Sequence, residues 1–412
     1  MGLPHESGHD VGLIINKRGK FKSASVHLAV FSLFLFFNNC SGFSPAELEK
    51  LSSSSSFSNG PTPQPTPAVP IPGAEKTTIF LAQGKIARTL ISCDDGVTWI
   101  RDRSDDDTKR CWYPDQTDPR YVECDHNPYS SAGVDYGEGW LFANYGWGYN
   151  GSVRRSADGI TWETLRSDGW GGGVSYALGR LLLLWGSWST SDDLGKTWTP
   201  LANRPPDTVV ADHAFARKLK DRFAIVANSG IAISADKGQT WISAPSLGWP
   251  PHAIAEGNGI LLAIGTETKT YPDSNILHAM RSTDGGKTWS QTSVTAQQYI
   301  SWDQLVFNGT EFVSWGGGET WKSADGMTWT HTPLVTTGTY TGAAAWQAIG
   351  AVSYNATTGT YVTVTPGWNY DQQRAYRSTD GITWVELDSN HFKGGHPITA
   401  IITAEIDKQL CR

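Results

Sequence analysis

Methionine is scarce, at 3 of 412 residues, and charged side chains make up only 18% of the chain. A coiled coil or a charge-laced helical array needs far more charge than this. Basic residues are not in excess: 33 Lys and Arg stand against 40 Asp and Glu, a net charge of -7. That leaves no electrostatic ground for a nucleic-acid partner. An anionic ligand would have to meet a local cluster of Arg or Lys. Cysteine is sparse too, at five residues. The apolar run Val26 to Phe37 is twelve residues long and is broken by His27 and Ser32, too short to span a bilayer comfortably. What the chain does hold is 19 Trp, 44 Gly and 21 Pro. Aromatics with many turn formers point to an all-β protein and exclude collagen and full disorder. Length alone suggests two or three domains.

The first forty residues read as an address. Lys17, Arg18, Lys20 and Lys22 precede the apolar run, and Asn38-Asn39-Cys40 follows it. A basic flank and a short apolar core make an export signal. A Cys directly after that core resembles a bacterial lipoprotein site, with Cys40 as the lipidated residue. The two Asn before it depart from the small residues usual there. A cleaved soluble signal and an uncleaved anchor are the other two readings. Residues 41–76 are rich in Ser and Pro, with too little apolar content to pack, and read as a solvated tether.

From residue 77 onward one unit repeats. Ser92-Cys93-Asp94-Asp95-Gly96-Val97-Thr98-Trp99 opens a series of seven boxes of the form Ser-x-Asp-(x)-Gly-x-Thr-Trp. The others run Ser156 to Trp162, Ser191 to Trp198, Ser234 to Trp241, Ser282 to Trp289, Ser323 to Trp329 and Ser378 to Trp384. Asp and Ser side chains brace a tight turn by accepting backbone hydrogen bonds. Gly supplies the positive φ the turn needs. Thr and Trp then begin a strand, with the Trp ring packing between units. The seven Asp are therefore hairpin braces, with catalysis or metal binding the minor alternative.

Two apolar segments precede a typical box, as at Pro251 to Ala255 and Ile260 to Ile264 before the fifth. Each unit is then four antiparallel strands, and radial repetition makes a propeller. The first unit lacks its innermost strand, and a surplus strand, Pro397 to Ile406, follows the seventh box. The expectation is a seven-bladed β-propeller closed by the C-terminal strand in blade one. Residues 77–412 allow 48 residues per blade. Cys93 lies in the first box and Cys411 just after the closing strand, so a Cys93–Cys411 bridge should latch the ring. Cys111 and Cys124 share one insertion and should pair locally. Both bridges suit an oxidising compartment. Metal ligation is the alternative for these cysteines, but no zinc-type spacing is present.

These seven boxes resemble the Asp-box (BNR) repeats of the sialidase-like β-propellers, and the resemblance covers residues 77–412. It implies that the boxes lie on the face opposite the functional centre. That superfamily includes sialidases, other glycoside hydrolases, sorting-receptor ectodomains, photosystem assembly factors and carbohydrate-binding propellers. Sialidases carry an Arg triad, a Tyr nucleophile with a Glu, and an Asp acid, with the first Arg in an Arg-Ile-Pro type motif. Here the stretch before Ser92 is Ala82-Gln83-Gly84-Lys85-Ile86-Ala87-Arg88-Thr89, without that motif. None of the sialidase catalytic residues carries over. Arg155, Arg281 and Arg377 each precede a box Ser and belong to the repeat.

The face opposite the boxes is built from the loops joining strands two and three and from the links between blades. Trp147, Tyr149, Trp170, Trp188, Trp249, Trp368 and Tyr370 fall in these segments. Trp and Tyr rings stack on the apolar faces of sugars, so this set is the candidate ligand platform. Core packing is the competing reading, above all for Trp185 and Trp315, which end inner strands. The insertion from Asp102 to Ser131 holds Asp125-His126, an acid–base or cation candidate, or else solvated groups on a stapled loop. Asp212-His213 and Asp303 sit where innermost strands begin, near the axis. Asp212 and Asp303 are the nearest candidates for the two carboxylates of a glycosidase. A water-filled channel gives the same pattern with no function. The sequence thus points to an exported, lipid-anchored, monomeric propeller without cofactor or metal. It would bind a glycan or a protein surface outside the cytoplasm. Glycoside hydrolysis at the channel mouth and an assembly or scaffold role are the alternatives.

Overall fold

The computed structural model describes residues 68–103, 130–146, 151–167, 172–184, 188–206, 214–227, 229–244, 248–266, 276–295, 304–366, 373–387, 392 and 396–411. The chain divides into two compact units, Met1–Gln64 and Pro65–Arg412. The second unit is a seven-bladed β-propeller. Residues 1–64, including Cys40, lie outside the described residues.

Blade one takes Ile398–Asp407 as its innermost strand, followed outward by Lys76–Gly84, Thr89–Ser92 and Ile100–Arg103. The closing strand pairs antiparallel with the first, Lys76 opposite Asp407 and Gln83 opposite Ala400. Blade two runs Ser130–Gly137, Trp140–Gly146, Ser152–Ser156 and Glu163–Arg166. Blade three runs Val174–Ala177, Arg180–Leu183, Ser189–Ser191 and Thr199–Pro200. Blade four is Phe215–Leu219, Arg222–Ala227, Gly230–Ser234 and Ile242–Ser243. Blade five is Pro251–Gly257, Ile260–Thr266, Ile276–Ser282 and Ser290–Thr295. Blade six is Leu305–Phe307, Phe312–Gly316, Glu319–Ser323 and Thr330–Pro333.

Blade seven departs from four strands. To Ala351–Asn355, Thr360–Val364, Ala375–Ser378 and Thr383–Glu386 it adds a short parallel strand, Val335–Thr336, on its outer edge. The link from blade six doubles back there: Val335 N–H donates to Ile382 O at 3.0 Å and Thr337 N–H to Trp384 O at 3.0 Å. Ile71 N–H donates to Asp407 Oδ2 at 2.7 Å, which pins the chain five residues before its first strand.

The core is a set of sandwiches between neighbouring blades, and each holds the box Trp of the following blade. Trp99 packs with Val362, Val364 and Phe392 between blades seven and one. Trp384 packs with Val313, Trp315 and Tyr361 between blades six and seven. The box Gly makes this approach possible. Gly195 has φ 87°, and a Cβ there would lie 2.4 Å from Leu165 of blade two. No L side chain fits both the backbone angle and the space.

Four arginines staple neighbouring blades through the main chain. Each donates to the carbonyl of the residue just before the next box Gly. Arg155 reaches Leu194 O at 3.0 Å, Arg180 reaches Lys237 O at 2.9 Å, Arg281 reaches Asp325 O at 2.8 Å and Arg377 reaches Asp95 O at 2.9 Å. These bonds account for the Arg that precedes the box Ser in three of the units. At the seam within blade one, the Cys93 and Cys411 sulfurs stand at disulfide distance, 2.03 Å, with their Cα atoms 5.8 Å apart. Cys111 and Cys124 lie outside the described residues.

Candidate functional site

The ring has two unlike faces. The turns joining strands one and two, and the boxes joining strands three and four, share one face. The boxes use their own polar groups. Ser191 Oγ donates to Asp193 Oδ1 at 2.8 Å and accepts Gly195 N–H at 2.8 Å. Asp193 Oδ1 accepts Thr197 N–H at 2.8 Å, and Oδ2 accepts the Thr197 hydroxyl at 2.6 Å. Trp198 Nε1 closes the turn on Gly195 O at 2.9 Å. The same Ser–Asp–Thr bracing recurs at Asp94, Asp158, Asp236, Asp284, Asp325 and Asp380. Hydrogen bonds from Thr197 and Ser191 hold the Asp193 pKa down to about 2. Backbone donation from Thr328 and Met327 holds Asp325 at about 2. Such carboxyls stay ionised and occupied, so they are braces and not acid–base groups.

The first box contains a second aspartate with a different task. Asp95 accepts Asn355 Nδ2 at 2.9 Å, the Thr358 and Thr360 hydroxyls at 2.7 and 2.6 Å, and Arg377 at 2.6 Å. All four donors belong to blade seven. Near the axis, Asp135 of blade two accepts the Ser175 hydroxyl at 3.0 Å and Tyr176 N–H at 2.7 Å from blade three. Burial pushes the Asp135 carboxyl up, against the opposing charge of Lys218 and the donors around it. Lys218 of blade four reaches Tyr136 O of blade two at 2.8 Å. These axial polar groups tie blades together.

The opposite face carries the ends of strands two and the starts of strands three. Of the aromatic platform set, Trp188 and Trp249 are described, and both are core residues at 8% and 6% exposure. Trp188 packs with Leu182, Leu184 and Leu201, and the Arg204 guanidinium covers its ring at 4.4 Å. Trp249 packs with Val226, Ile254 and Ala263 and stacks on His278 at 5.3 Å. Each sits beside a strand end where a large ring fills the gap between blades, so neither offers a stacking face. Trp315 is likewise buried, with its indole N–H donating to Gly381 O at 2.8 Å. Trp147, Tyr149, Trp170, Trp368 and Tyr370 lie outside the described residues, as do Trp185, Asp125, His126, Asp212, His213 and Asp303. Two further His lie at or just before the starts of innermost strands: His252 is half-buried and His396 is buried, with Arg88 donating to the His396 carbonyl at 2.6 Å.

Two residues on this face carry a signal that apolar patterning alone does not pick out. The box Ser fixes the register of strand two in every blade: Ser92 pairs with Phe80, Ser156 with Leu141, Ser191 with Leu181, Ser234 with Phe223. Ser282, Ser323 and Ser378 pair with Leu261, Phe312 and Tyr361. Counting the same distance toward the far face gives Leu184, Val226, Ile264, Trp315 and Val364 in blades three to seven. The same position holds Gln83 in blade one and Asn144 in blade two. Both amide side chains are fully buried, at 0% exposure. Among the described residues, neither amide atom of Asn144 has a hydrogen-bond partner, and Gln83 Oε1 has none. Gln83 Nε2 reaches the Thr89 hydroxyl, at 3.5 Å. The loop directly after Gln83 is strained, with Ile86 at φ 54° and Ala87 at φ 52°. A β-branched residue in the left-handed region is a genuine outlier. Among the described residues, every other non-Gly residue with positive φ sits in a box or a strand-one turn.

This architecture, with one face braced by its own turns, defines a seven-bladed β-propeller. No family model matches the chain, and no curated protein matches it in sequence. Among solved structures it is similar to a quinonprotein alcohol dehydrogenase-like protein from Bacteroides thetaiotaomicron. That likeness has 9% identity over 78% of this chain and 77% of the other, with a TM-score of 0.47. The propeller domain of Cps50 (Swd1) from Myceliophteria thermophila is similar at 10% identity, covering 69% and 90%, with a TM-score of 0.45. YCF48 from Cyanidioschyzon merolae is similar at 13% identity, covering 67% and 95%, with a TM-score of 0.35. Each likeness stops at the fold.

Proposed function

We propose that this chain is an exported propeller of the Asp-box, sialidase-like kind that binds glycans outside the cytoplasm. A lipid on Cys40 and the tether after it would hold it at a membrane. The observation that carries this reading is the division of labour between the faces. Box carboxylates are spent on their own turns, and the far face gathers the chain segments that differ from blade to blade. In sequence, Trp147 and Tyr149 fall between Gly146 and Ser152, and Trp368 and Tyr370 between Pro366 and Gln373. Aromatic rings on such a rim would stack on sugars while leaving their hydroxyls hydrated.

The test is a glycan array probed with the full exported chain, with the bound sugars then read by mass spectrometry. Intact, retained glycans are the expected result. Trimmed glycans would overturn pure binding in favour of hydrolysis, and substitution of Asp212 and Asp303 would follow. A blank array would overturn the sugar reading and leave a protein surface as the partner.

A further inference from the structure

An exposed edge strand is a row of unpaired N–H and C=O groups, and native sheets manage it with short strands, charge, proline, bulges or cover. Among the described residues, six of the seven blades use such a device on their outer edge. The outer strands of blades three and four are two residues long, and the former ends in Pro200. Ile100–Arg103 and Glu163–Arg166 contain charged residues and pair with a register shift. Thr330–Pro333 ends in proline. The edge of blade seven lies under Val335–Thr336. Blade five has none of these. Its outer strand, Ser290–Thr295, is the longest of the seven at six residues and reads Ser-Gln-Thr-Ser-Val-Thr. It pairs along its whole length with the third strand, from Ser290 opposite Arg281 to Thr295 opposite Ile276, without a shift. Ser290, Gln291 and Ser293 are exposed, while Val294 packs against the cluster of Leu277, Ala279 and Trp321. No described residue pairs with its outer side.

The equivalent strands show which backbone groups point outward. In blades three, four and seven the third residue after the box Trp donates inward: Leu201 to Trp188 O at 2.7 Å, Ala244 to Ile231 O at 2.9 Å and Leu387 to Ala375 O at 2.9 Å. In blade seven Trp384 O itself accepts from the covering strand. Odd steps from the box Trp therefore face the blade, and even steps face out. Counted from Trp289, the residues Gln291, Ser293 and Thr295 present their N–H and C=O groups outward.

We propose that this edge docks a second copy of the chain, antiparallel, about a two-fold axis through Ser293. The sequence alone suggested a monomer; the edge of blade five favours a reversible dimer. In this register Ser293 meets its own counterpart, and Gln291 of each copy meets Thr295 of the other. Every outward residue then faces an outward residue, which gives about six backbone hydrogen bonds in three pairs. A shift by one residue would set outward groups against inward ones. Between those pairs Thr292 stands opposite Val294, a β-branched match on the sheet surface. The strand is uncharged, so a copy brings no like charge against it. The contact is isologous and joins the two blade-five sheets into one. One strand edge is a small interface, so the association is weak.

The experiment uses the full exported chain in a Cys40→Ala background, which removes the proposed lipid and its thiol. Ser293→Cys puts two thiols on the axis, in a pair whose Cα separation of about 5.5 Å suits a disulfide. Gln291→Cys is the control, exposed on the same edge but with its two copies about 14 Å apart. On mild oxidation Ser293→Cys should give about fivefold more cross-linked dimer than Gln291→Cys. In sedimentation the background chain should rise in mass toward a dimer as concentration increases. Ser293→Pro and Ser293→Lys should stay at monomer mass throughout. Proline there removes an outward N–H alone, so the ladder within the blade survives. Circular dichroism checks the fold of each variant, and the lysine variant carries the test if proline disturbs it. Equal cross-linking in the two Cys variants overturns the proposal, as does a background chain that stays monomeric at every concentration. A dimer that persists in the Ser293→Pro and Ser293→Lys variants also overturns it, because the contact then lies elsewhere.

Discussion

Arg377 and Asp95 are 282 positions apart in sequence and paired at 2.6 Å. The pair spans the joint between the last blade and the first. Its guanidinium binds twice, Nε to the Asp95 carbonyl at 2.9 Å and an Nη to the carboxylate. Only 28% and 22% of the two side chains is exposed, so solvent screens this pair less than an ordinary surface bridge.

Arg377→Met should therefore weaken the ring measurably. Charge-assisted bonds to a half-buried carboxylate are worth about 1–3 kcal/mol. In calorimetry that corresponds to a fall in Tm of about 2–6 °C. Arg180→Met is the comparison, since its partner Asp192 is 57% exposed, and it should cost less. Equal Tm values for Arg377→Met and the unchanged chain would show that the joint does not depend on the clamp.

Acid should loosen the boxes over a defined range. Asp193 and Asp325 have folded-state values of about 2, below the ordinary 3.8. Asp284 is lowered too, by backbone and hydroxyl donation from Thr288. A depressed carboxyl stabilises the fold fully above its unfolded value, and that contribution is lost as pH falls through the folded one. Thermal stability should be level near neutrality and should decline between about pH 4 and pH 2. A titration of Tm against pH checks this; Asp193→Asn should flatten part of the decline.

Reduction should also destabilise the ring. Cys93 and Cys411 are 318 residues apart, so a bond between them constrains almost the whole propeller in the unfolded chain. Loops of this length give an entropic stabilisation of about 2–5 kcal/mol. The Cys93→Ser, Cys411→Ser double variant should melt lower than the unchanged chain under oxidising conditions. Dithiothreitol should lower the melting of the unchanged chain by more than that of the variant, in which only Cys111 and Cys124 are left to reduce. If Tm is equal in all four cases, the latch contributes nothing.

The proposed lipid attachment at Cys40 has a direct readout. In a bacterial host fed an alkyne-tagged fatty acid, the unchanged chain should be labelled and should sediment with membranes. Cys40→Ala should lose the label and appear in the soluble fraction. Labelling that survives the substitution would place the anchor elsewhere.

The blade count, the closing strand and the role of the box Asp were legible in the chain because each depends on local chemistry at a fixed period. Ser, Asp, Gly and Thr brace one turn within eight residues, so their pattern announces itself. The parallel strand Val335–Thr336 was not legible, because two residues carry no alternation and their pairing depends on how the link folds back. Trp188 and Trp249 read as rim residues from their place beside a link. Their burial follows from the space between blades, which no single strand reveals. Gln83 and Asn144 were hidden for a further reason. Each looks like an ordinary polar strand residue until the register to the box Ser aligns it with five apolar equivalents.

The four interblade arginines bind main-chain oxygens, and the residues that present those oxygens are as unlike as Leu194, Lys237, Asp325 and Asp95. A carbonyl is there whatever side chain accompanies it. Where that residue's side chain is neither a turn brace nor part of a clamp, as at Leu194 and Lys237, a blade attached in this way is free to change its sequence at the point of attachment without coming loose. Duplicated units could drift far apart and still assemble in order, which leaves each one open to acquire its own specialisation.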